Sequence, residues 1–391
     1  MKRVVAGLVM VMLLPLGAAF ADDVKLGVLL GYTGPIESLV GPMADGAELA
    51  IKEVSDSGAL LGGLQVVSVR GDTTCIDSAA ATAAAERLIT ADQVNAIVGG
   101  DCSGVTIAVL QNVAKPNGIV MISPSATSPA LSTIEDDGLF FRTAPSDARQ
   151  GEVVADILQE MDIGEAALTY TNNDYGKGLA DSIEANFKMR GGTITISAPH
   201  EDGKGDYSAE VAALDAVGGD ILIVAGYLDQ GGKGIIQAAL DSGAFDQFFL
   251  PDGMIGDSLV EAIGADLNGS IGTVPGTDSP GAARLEEIAG MASGPFVSES
   301  YDAAALILLA MQAAGSTDSG DFKDHVMAVA NAPGEQIFPG ELEKALGILA
   351  NGGEIDYVGA SAVELVGAGE SAGNYRQMAV EDGALVTVRY R

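Results

Sequence analysis

The stretch of sequence GIVMISPSATSP, residues 118–129, changes abruptly from apolar to polar. The apolar run 118–122 is typical of a buried β-strand, and the hydroxyl groups and prolines that follow indicate where that strand ends. Thr127 or Ser128 can cap a helix that begins there, and Pro129 suits the first turn of this helix. Small anions and zwitterions bind at the carboxyl ends of strands in α/β sheets, so we expect this stretch to contribute to a ligand site.

Strand and helix patterns alternate along the chain on both sides of this stretch. Ahead of it, strands are predicted at 24–30, 64–69 and 94–98, with helices between them. A second series follows, with strands predicted at 166–170, 193–197, 220–225 and 248–250. Strict β–α alternation predicts parallel, doubly wound sheets, and the repeat predicts two α/β units.

Two interruptions of the alternation predict where the chain crosses between the units. The pattern pauses around 140–145, and the Pro- and Gly-rich segment 275–281 is typical of a linker. Helical patterns after 281 are expected to cover the first unit, and a terminal hairpin at 375–390 could return to the second. We therefore expect residues 22–142 and 275–356 in lobe 1, and residues 143–274 and 357–391 in lobe 2.

The charge of the chain excludes some classes of partner. Its 391 residues carry a formal net charge of -34, with a pI of about 4.1. Nucleic acids and anionic membrane surfaces attract basic patches, so neither is an expected partner. The negative charge is instead typical of a solvated acidic surface.

The amino terminus has the pattern of a secretory signal peptide. Lys2 and Arg3 precede the apolar run 4–16, and Ala19-Phe20-Ala21 is a small-x-small cleavage site. We expect residues 1–21 to be removed and the product to be a soluble exported protein. No later run of 18 uncharged apolar residues predicts a membrane span.

Two cysteines, Cys75 and Cys102, are the only ones in the chain. In an oxidising compartment they can form one disulfide. Two free buried thiols and half of a metal site are the alternatives. The metal alternative is weak because neither cysteine has a nearby second ligand, and the only histidines are His200 and His325.

Motifs of the common catalytic sites are absent from the sequence. There is no Walker loop, no G-x-G-x-x-G after a strand and no G-x-S-x-G elbow. A hydrolase would need a nucleophile–base pair, and none is found. We therefore expect a protein that is not an enzyme and that uses no cofactor or metal.

Polar and aromatic side chains follow the predicted strands of both units. Ser103 and Thr127 could donate to a carboxylate, Asp252 could accept from an ammonium group, and Tyr175 and Tyr227 could supply a phenol or an aromatic wall. Each alone could simply satisfy the backbone of a turn. Together, on opposing edges, they predict a cleft for a zwitterion.

A set of short motifs in a fixed order makes the chain resemble a known family, the periplasmic branched-chain amino-acid (leucine/isoleucine/valine) binding proteins of ABC transporters. The motifs are Gly34-Pro35, residues 46–50, Asp101-Cys102-Ser103-Gly104, residues 123–129, Phe141-Arg142-Thr143, Asp147 with Gln150-Gly151, residues 174–180 and residues 205–208. The resemblance implies the type I periplasmic binding fold, in which two Rossmann-like lobes are joined by three hinge crossings and close on the ligand. It also implies a disulfide between Cys75 and Cys102.

The resemblance also implies roles for individual residues. Ser103, Ser125, Ala126 and Thr127 match the site for the ligand carboxylate, and Tyr175, Tyr227 and Asp252 match the contacts from the second lobe. Asp252 replaces a family glutamate that receives the α-ammonium group. Leu39 stands where many relatives carry an aromatic residue against the ligand side chain, so the preferred side chain is left open.

We expect a solute-binding protein, monomeric, that delivers a small amino acid to the permease of an ABC transporter. A branched-chain or other neutral aliphatic L-amino acid is the expected ligand. Two alternatives remain: the same fold with an aromatic carboxylate or amide as ligand, and a periplasmic sensor of ligand.

Overall fold

The computed structural model describes residues 23–290 and 294–391. The predicted signal peptide lies outside this part of the chain. No helix among the described residues is long and apolar enough to cross a membrane. Two seven-stranded sheets form the centres of two lobes, which confirms the predicted α/β fold.

The first sheet is built mainly from the amino-terminal part of the chain. Its first five strands are β1 (Val24–Leu30), β2 (Val66–Asp72), β3 (Ala96–Gly99), β4 (Met121–Ser123) and β5 (Phe140–Pro145). All of these pair in parallel, in the spatial order β5-β4-β3-β1-β2. The order reverses between β1 and β3, and the loops that leave these two strands therefore diverge and open a crevice at the carboxyl edge.

Helices cover both faces of this sheet. They are α1 (Glu37–Ser57), α2 (Ser78–Thr90), α3 (Ser103–Val109) and α4 (Lys115–Asn117), with a π-helical turn at Leu110–Ala114 between the last two and short 3₁₀ helices at Leu60–Gly62 and Pro129–Ser132. The Ser128 hydroxyl caps the second 3₁₀ helix by accepting from Ala130 N at 3.3 Å. The predicted cap is thus confirmed, although the helix is a single turn.

The second sheet repeats this arrangement. Its strands are β6 (Glu165–Thr171), β7 (Thr193–His200), β8 (Ile221–Ala225), β9 (Phe248–Leu250) and β10 (Ile271–Pro275), in the parallel order β10-β9-β8-β6-β7. Its helices are α5 (Asp147–Glu160), α6 (Asp174–Met189), α7 (Ser208–Asp215), α8 (Gly231–Ser242) and α9 (Asp257–Ile263), with 3₁₀ helices at Asp252–Met254 and Gly264–Leu267. Here the switch point lies between β6 and β8.

The carboxyl-terminal third serves both lobes. Its helices are α10 (Pro280–Ala289), α11 (Val297–Ala314), α12 (Ser319–Phe322), α13 (Val326–Ala330) and α14 (Leu342–Ala350), with a 3₁₀ turn at Lys323–His325. Its strands are β11 (Glu335–Ile337), β12 (Ile355–Tyr357), β13 (Leu365–Val366), β14 (Glu370–Ser371), β15 (Tyr375–Glu381) and β16 (Ala384–Tyr390). Helix α11 is buried along nearly its whole length and packs against α1, and from residue 303 to 311 it is apolar on all sides, as a buried helix is expected to be. The predicted terminal hairpin, β15–β16, extends the second sheet.

Two segments near the predicted lobe boundaries pair with strands of the first sheet, and the boundaries themselves stay a prediction. The pause expected around 140–145 is strand β5 of the first sheet, because the charge of Arg142, which obscured the apolar pattern, is buried and paired with Glu370. Strands β13 and β14, expected in lobe 2, also belong to the first sheet, since β14 pairs with β5. We therefore propose that the chain first leaves lobe 1 after residue 145 and last leaves it after residue 371.

Candidate ligand-binding site

The two crevices face each other across one cavity between the lobes, which we call the ligand cavity. Its lining residues follow strands of both sheets. They are Ile36, Leu39, Asp101, Cys102, Ser103 and Ser125 from lobe 1, Tyr175, Tyr227, Asp252 and Gly253 from lobe 2, and Phe296 next to α11. The structure thus brings together six of the eight residues that the sequence singled out.

Two serine hydroxyls form the polar part of the lobe 1 wall. Ser103 begins α3, and its hydroxyl accepts from the backbone N of Ser128 at 3.1 Å. Ser125 follows β4, and its hydroxyl donates to the carbonyl oxygen of Asp101 at 3.1 Å. Ser103 is buried and Ser125 is partly exposed. These bonds join the loops after β3 and β4, so both hydroxyls are held at one place.

Asp101 connects the loops around the lobe 1 wall. Its carboxylate accepts from Gly31 N at 2.6 Å and from the Thr73 hydroxyl at 2.8 Å. Burial raises the pKa of this carboxyl group, and the hydrogen bonds oppose that effect. The disulfide between Cys75 and Cys102, with Cα atoms 5.2 Å apart, ties the same loops covalently. The predicted disulfide is confirmed, and the two alternatives for these cysteines are excluded.

Ala126 and Thr127 do not line the ligand cavity. Ala126 N donates to the Ser123 hydroxyl at 2.9 Å, and Ala126 O accepts from Arg142 at 3.0 Å. Thr127 is buried beside Asp147, whose backbone N donates to Thr127 O at 2.8 Å. The Thr127 hydroxyl has no hydrogen-bond partner among the described residues. Their contribution to a site therefore stays a prediction.

Arg142 holds the turn at residues 125–129 in shape. Its guanidinium donates to Ala126 O, to Ser128 O at 2.9 Å and to the Ser132 hydroxyl at 2.7 Å, and it pairs with Glu370. The side chain is only 1% exposed. A planar group with five donors can bind several oxygens at once, which explains why an arginine stands here. Sequence reasoning used Arg142 only as a family marker.

In lobe 2, an acid and a phenol form the polar wall. The side-chain amide of Asn173 accepts from Gly176 N at 3.0 Å and so caps α6, which places Tyr175 at the carboxyl end of β6. The Tyr175 hydroxyl donates to Asp252 Oδ1 at 2.7 Å. Gly253 N donates to the same carboxylate oxygen at 2.9 Å. The ring of Tyr175 stacks on Tyr227, with centroids 5.2 Å apart.

Asp252 lies in an environment that disfavours its charge. Burial raises its pKa to about 6, although the bonds from Tyr175 and Gly253 act in the opposite direction. A second buried acid, Asp147, has its pKa raised by burial and by the charge of Asp252. The amide of Gln150 connects the two acids in its better orientation, donating to Asp147 Oδ1 at 3.0 Å and to Asp252 Oδ1 at 3.2 Å. A buried carboxylate in such a setting is suited to a cationic partner.

The remaining wall of the ligand cavity is apolar. Leu39 and Ile36 come from the first turn of α1 and its approach, and Phe296 directly precedes α11. Only Leu39 was predicted. Phe296 stands in the short segment between α10 and α11, which has no strand or helix periodicity, so the sequence held no signal for it.

Among the described residues, the acidic, histidine and cysteine side chains form no metal cluster, and the buried His200 is held neutral. No cluster of three or more His, Cys, Asp or Glu side chains there could hold a metal ion. His200 is buried, its Nδ1 lies 2.9 Å from the Thr169 hydroxyl, and burial lowers its pKa to about 4. It therefore serves as a neutral side chain of the second lobe.

Comparisons with known proteins agree with this architecture. The family model described as periplasmic binding protein matches residues 23–337. A Leu/Ile/Val-binding protein homologue of Brucella melitensis is 30% identical over 325 residues, covering 81% of this chain and 85% of its own. A leucine-specific-binding protein of Salmonella typhimurium is 30% identical over 275 residues, covering 70% and 72%.

Solved structures share the fold at lower sequence identity. A leucine-binding protein of Thermotoga maritima superposes with a TM-score of 0.79 at 22% identity, covering 94% of this chain and 98% of its own. A branched-chain amino-acid binding protein of Streptococcus pneumoniae, in complex with isoleucine, superposes with a TM-score of 0.77 at 22% identity, covering 95% of this chain and 99% of its own. A solute-binding protein of R. palustris, in complex with benzoate, superposes with a TM-score of 0.75 at 18% identity, covering 94% of this chain and 96% of its own. The chain belongs to the periplasmic binding proteins, in the family of the branched-chain amino-acid binding proteins of ABC transporters.

Proposed function

We propose that this protein is the solute receptor of an ABC transporter and binds a neutral aliphatic L-amino acid in the ligand cavity. The observation that carries the proposal is the position of Asp252, a buried acid that faces the serine hydroxyls of the opposite lobe across one cavity. An amino acid has the matching pair of groups, a cation and an anion on one carbon atom.

The ligand carboxylate is assigned to lobe 1. The Ser103 hydroxyl only accepts a bond, from Ser128 N, and so keeps its own proton free to donate to the carboxylate. The Ser125 hydroxyl gives its one proton to Asp101 O and would have to exchange that bond for one to the ligand. Helix α3 begins at Ser103, and the positive end of a helix dipole favours an anion nearby. Ala126 and Thr127, which the family resemblance places at the ligand carboxylate, do not line the ligand cavity, and their contact with the ligand stays a prediction.

The ligand ammonium group is assigned to lobe 2. Asp252 would accept from it, while Tyr175 already donates to Asp252 Oδ1 and holds the carboxylate in position. The stacked rings of Tyr175 and Tyr227 form a wall beside the acid. A plain carboxylate ligand would leave this acid buried and unpaired, which is costly. This favours an amino acid over an aromatic acid such as benzoate.

The ligand side chain would point to the apolar wall formed by Ile36, Leu39 and Phe296. The charged group of Asp101, also in the lining, is occupied by Gly31 and Thr73. An aliphatic side chain meets no unsatisfied charge there. Closure of the lobes would bury the ligand and present both lobes to the permease, and export by the predicted signal peptide would place the protein in the periplasm.

Ligand-dependent thermal stability tests the proposal. The purified mature chain is heated in the presence of L-leucine, L-isoleucine, L-valine, L-alanine, benzoate and benzamide, and hits are confirmed by titration calorimetry. A ligand at 100 times its Kd adds about 2.7 kcal/mol to the stability of the folded state. We expect branched-chain amino acids to raise the Tm most. A response to benzoate alone would replace the amino acid by an aromatic acid, and no response to any amino acid would overturn the proposal.

A further inference from the structure

Helix α1 lacks a cap of its own. The residue at its N-cap position is Ile36, whose side chain can accept no hydrogen bond. The first backbone N–H groups of a helix have no partner within the helix, and a Ser, Thr, Asp or Asn side chain normally accepts from one of them. The start of this 21-residue helix, at the edge of the cleft, therefore needs a hydrogen-bond acceptor from elsewhere in the chain.

The missing acceptor comes from the other lobe. Asp229, in the loop after β8, accepts from the backbone N of Ser38 through Oδ2 at 3.0 Å. Its own backbone N donates to the carbonyl oxygen of Pro35 at 3.0 Å. Both partners belong to the start of α1 in lobe 1, so one residue of lobe 2 bonds the helix start twice.

A serine of lobe 2 orients the Asp229 carboxylate. Ser258, in the first turn of α9, donates to Asp229 Oδ1 at 2.7 Å. Its hydroxyl also lies 3.2 Å from the hydroxyl of Ser38. Since Ser258 and Asp229 are in the same lobe, the bond between them does not depend on closure, and the carboxylate is held ready for α1.

We propose that Asp229 is the N-cap of α1 supplied across the cleft, and that this interlobe bridge of Asp229, Ser258 and Ser38 stabilises the closed state and sets ligand affinity. None of the three residues lines the ligand cavity. The negative carboxylate also meets the positive end of the α1 dipole, which adds to the attraction. Opening the lobes breaks the bridge and returns the helix start to water, so its full contribution exists only when the lobes are closed.

The bridge predicts a specific effect on affinity, and this part rests on the proposed function. Asp229→Ala removes the carboxylate but keeps the backbone bond to Pro35. A lost N-cap corresponds to a change of about fivefold in an equilibrium constant, and we expect the Kd for L-leucine to rise at least that much, mainly through faster dissociation. Asp229→Asn keeps a hydrogen-bond acceptor but loses the charge, so its Kd for L-leucine should lie between those of the wild type and Asp229→Ala. Asp246→Ala, an exposed acid in lobe 2, is the charge-matched control.

Thermal stability separates this role from an ordinary structural one. The Tm of the ligand-free Asp229→Ala protein should fall only slightly, because without ligand the bridge forms only in the closed fraction of the molecules, while the rise in Tm on adding ligand becomes clearly smaller. Equal losses of Tm with and without ligand would assign Asp229 to the stability of lobe 2 and overturn the proposal. An unchanged Kd would overturn it as well.

A measurement without ligand keeps this proposal separate from the proposed function. Spin labels are placed on cysteines introduced at Glu86 in lobe 1 and Met189 in lobe 2, both exposed. The distance distribution in the ligand-free chain should shift toward the open form in Asp229→Ala and stay unchanged in Asp246→Ala. If no amino acid binds the wild type, the proposed function fails, but the distance measurement still shows whether the bridge stabilises the closed form. Identical distributions in all three proteins would overturn it.

Discussion

The Tyr175 hydroxyl donates to Asp252 Oδ1 at 2.7 Å, at the carboxyl ends of two strands of the second sheet. Both side chains are almost fully buried and both line the ligand cavity. The phenol fixes the orientation of the carboxylate and, by donating to it, opposes the rise in its pKa that burial causes. Asp252 is therefore positioned and partly charged before any ligand arrives.

Neutralising this acid should abolish most of the affinity. Asp252→Asn keeps the size of the side chain and an acceptor for Tyr175 but loses the charge that would pair with an ammonium group. Removing one member of a buried charge pair costs about 2 kcal/mol or more, a rise in Kd of at least about 30-fold. Calorimetric titration with L-leucine measures this rise in Kd, and Asp246→Asn is a control with the same change of charge. A Kd within threefold of the wild type would remove Asp252 from the ammonium site.

Binding should weaken in acid because Asp252 must be ionised to bind a cation. Its pKa is raised to about 6 by burial. Above this pH the carboxylate is charged, and below it the neutral acid predominates while the ligand ammonium keeps its charge. The association constant should therefore fall by up to about tenfold for each pH unit below about 6, and level off above pH 7.

Tyr175→Phe provides the matched test of this pH dependence. Loss of the phenol removes a hydrogen bond that lowers the pKa of Asp252, so the midpoint of the pH profile should move to higher pH. Titrations between pH 5 and pH 8 for both proteins reveal the shift. A profile that is flat across this range, or a midpoint that moves to lower pH in Tyr175→Phe, would contradict the assignment.

Leu39 should limit the size of the ligand side chain. It lines both the ligand cavity and a neighbouring, larger pocket along the interlobe cleft. Gly256 of lobe 2 packs so closely against Leu39 that a Cβ there would lie 3.0 Å from Leu39 Cδ2. The cleft thus closes directly onto this leucine.

Leu39→Ala joins the two spaces. We expect affinity for L-valine to fall, because about 2 kcal/mol of apolar contact is lost, and affinity for L-phenylalanine to rise relative to L-valine. The ratio of the two Kd values is the readout, since a general loss of stability would affect both ligands alike. A ratio equal to that of the wild type would show that Leu39 does not face the ligand side chain.

Sequence reasoning found the parts of the site that follow directly from strand ends. Ser103, Tyr175, Tyr227 and Asp252 each come within a few residues of an apolar strand, and parallel strands bring their carboxyl ends to one edge. Phe296 and the bridge from Asp229 to Ser38 have no such local signal. They depend on how the segment between α10 and α11 and the second lobe are placed, which only the packing of distant segments determines.

The same reason explains why the strand at residues 140–145 was not predicted. An arginine in an apolar strand breaks the periodic pattern, and its partner, Glu370, lies 228 positions away. Burying an unpaired arginine costs much free energy, so a buried Arg142 could not be predicted without knowing its partner. The strand becomes evident only when β14 supplies the acid, and this long-range pair also joins the end of the chain to the loop that carries Ser125.

Replacing Arg142 should therefore affect both stability and binding. Arg142→Met leaves Ala126 O and Ser128 O without their donor and Glu370 without its partner. Breaking a buried pair of this kind costs about 3 kcal/mol or more, whereas the surface pair of Arg149 and Glu152 is worth at most about 1 kcal/mol. Arg149→Met is thus the matched control, with a side chain that is 40% exposed against 1% for Arg142.

Urea unfolding of both variants measures the difference in stability. Titration with L-leucine should show weaker binding only in Arg142→Met, because the turn at 125–129 has lost its support. Equal stability of the two variants would mean that solvent takes over the role of the Arg142 guanidinium, and unchanged binding would mean that the Ser123 hydroxyl alone holds the turn.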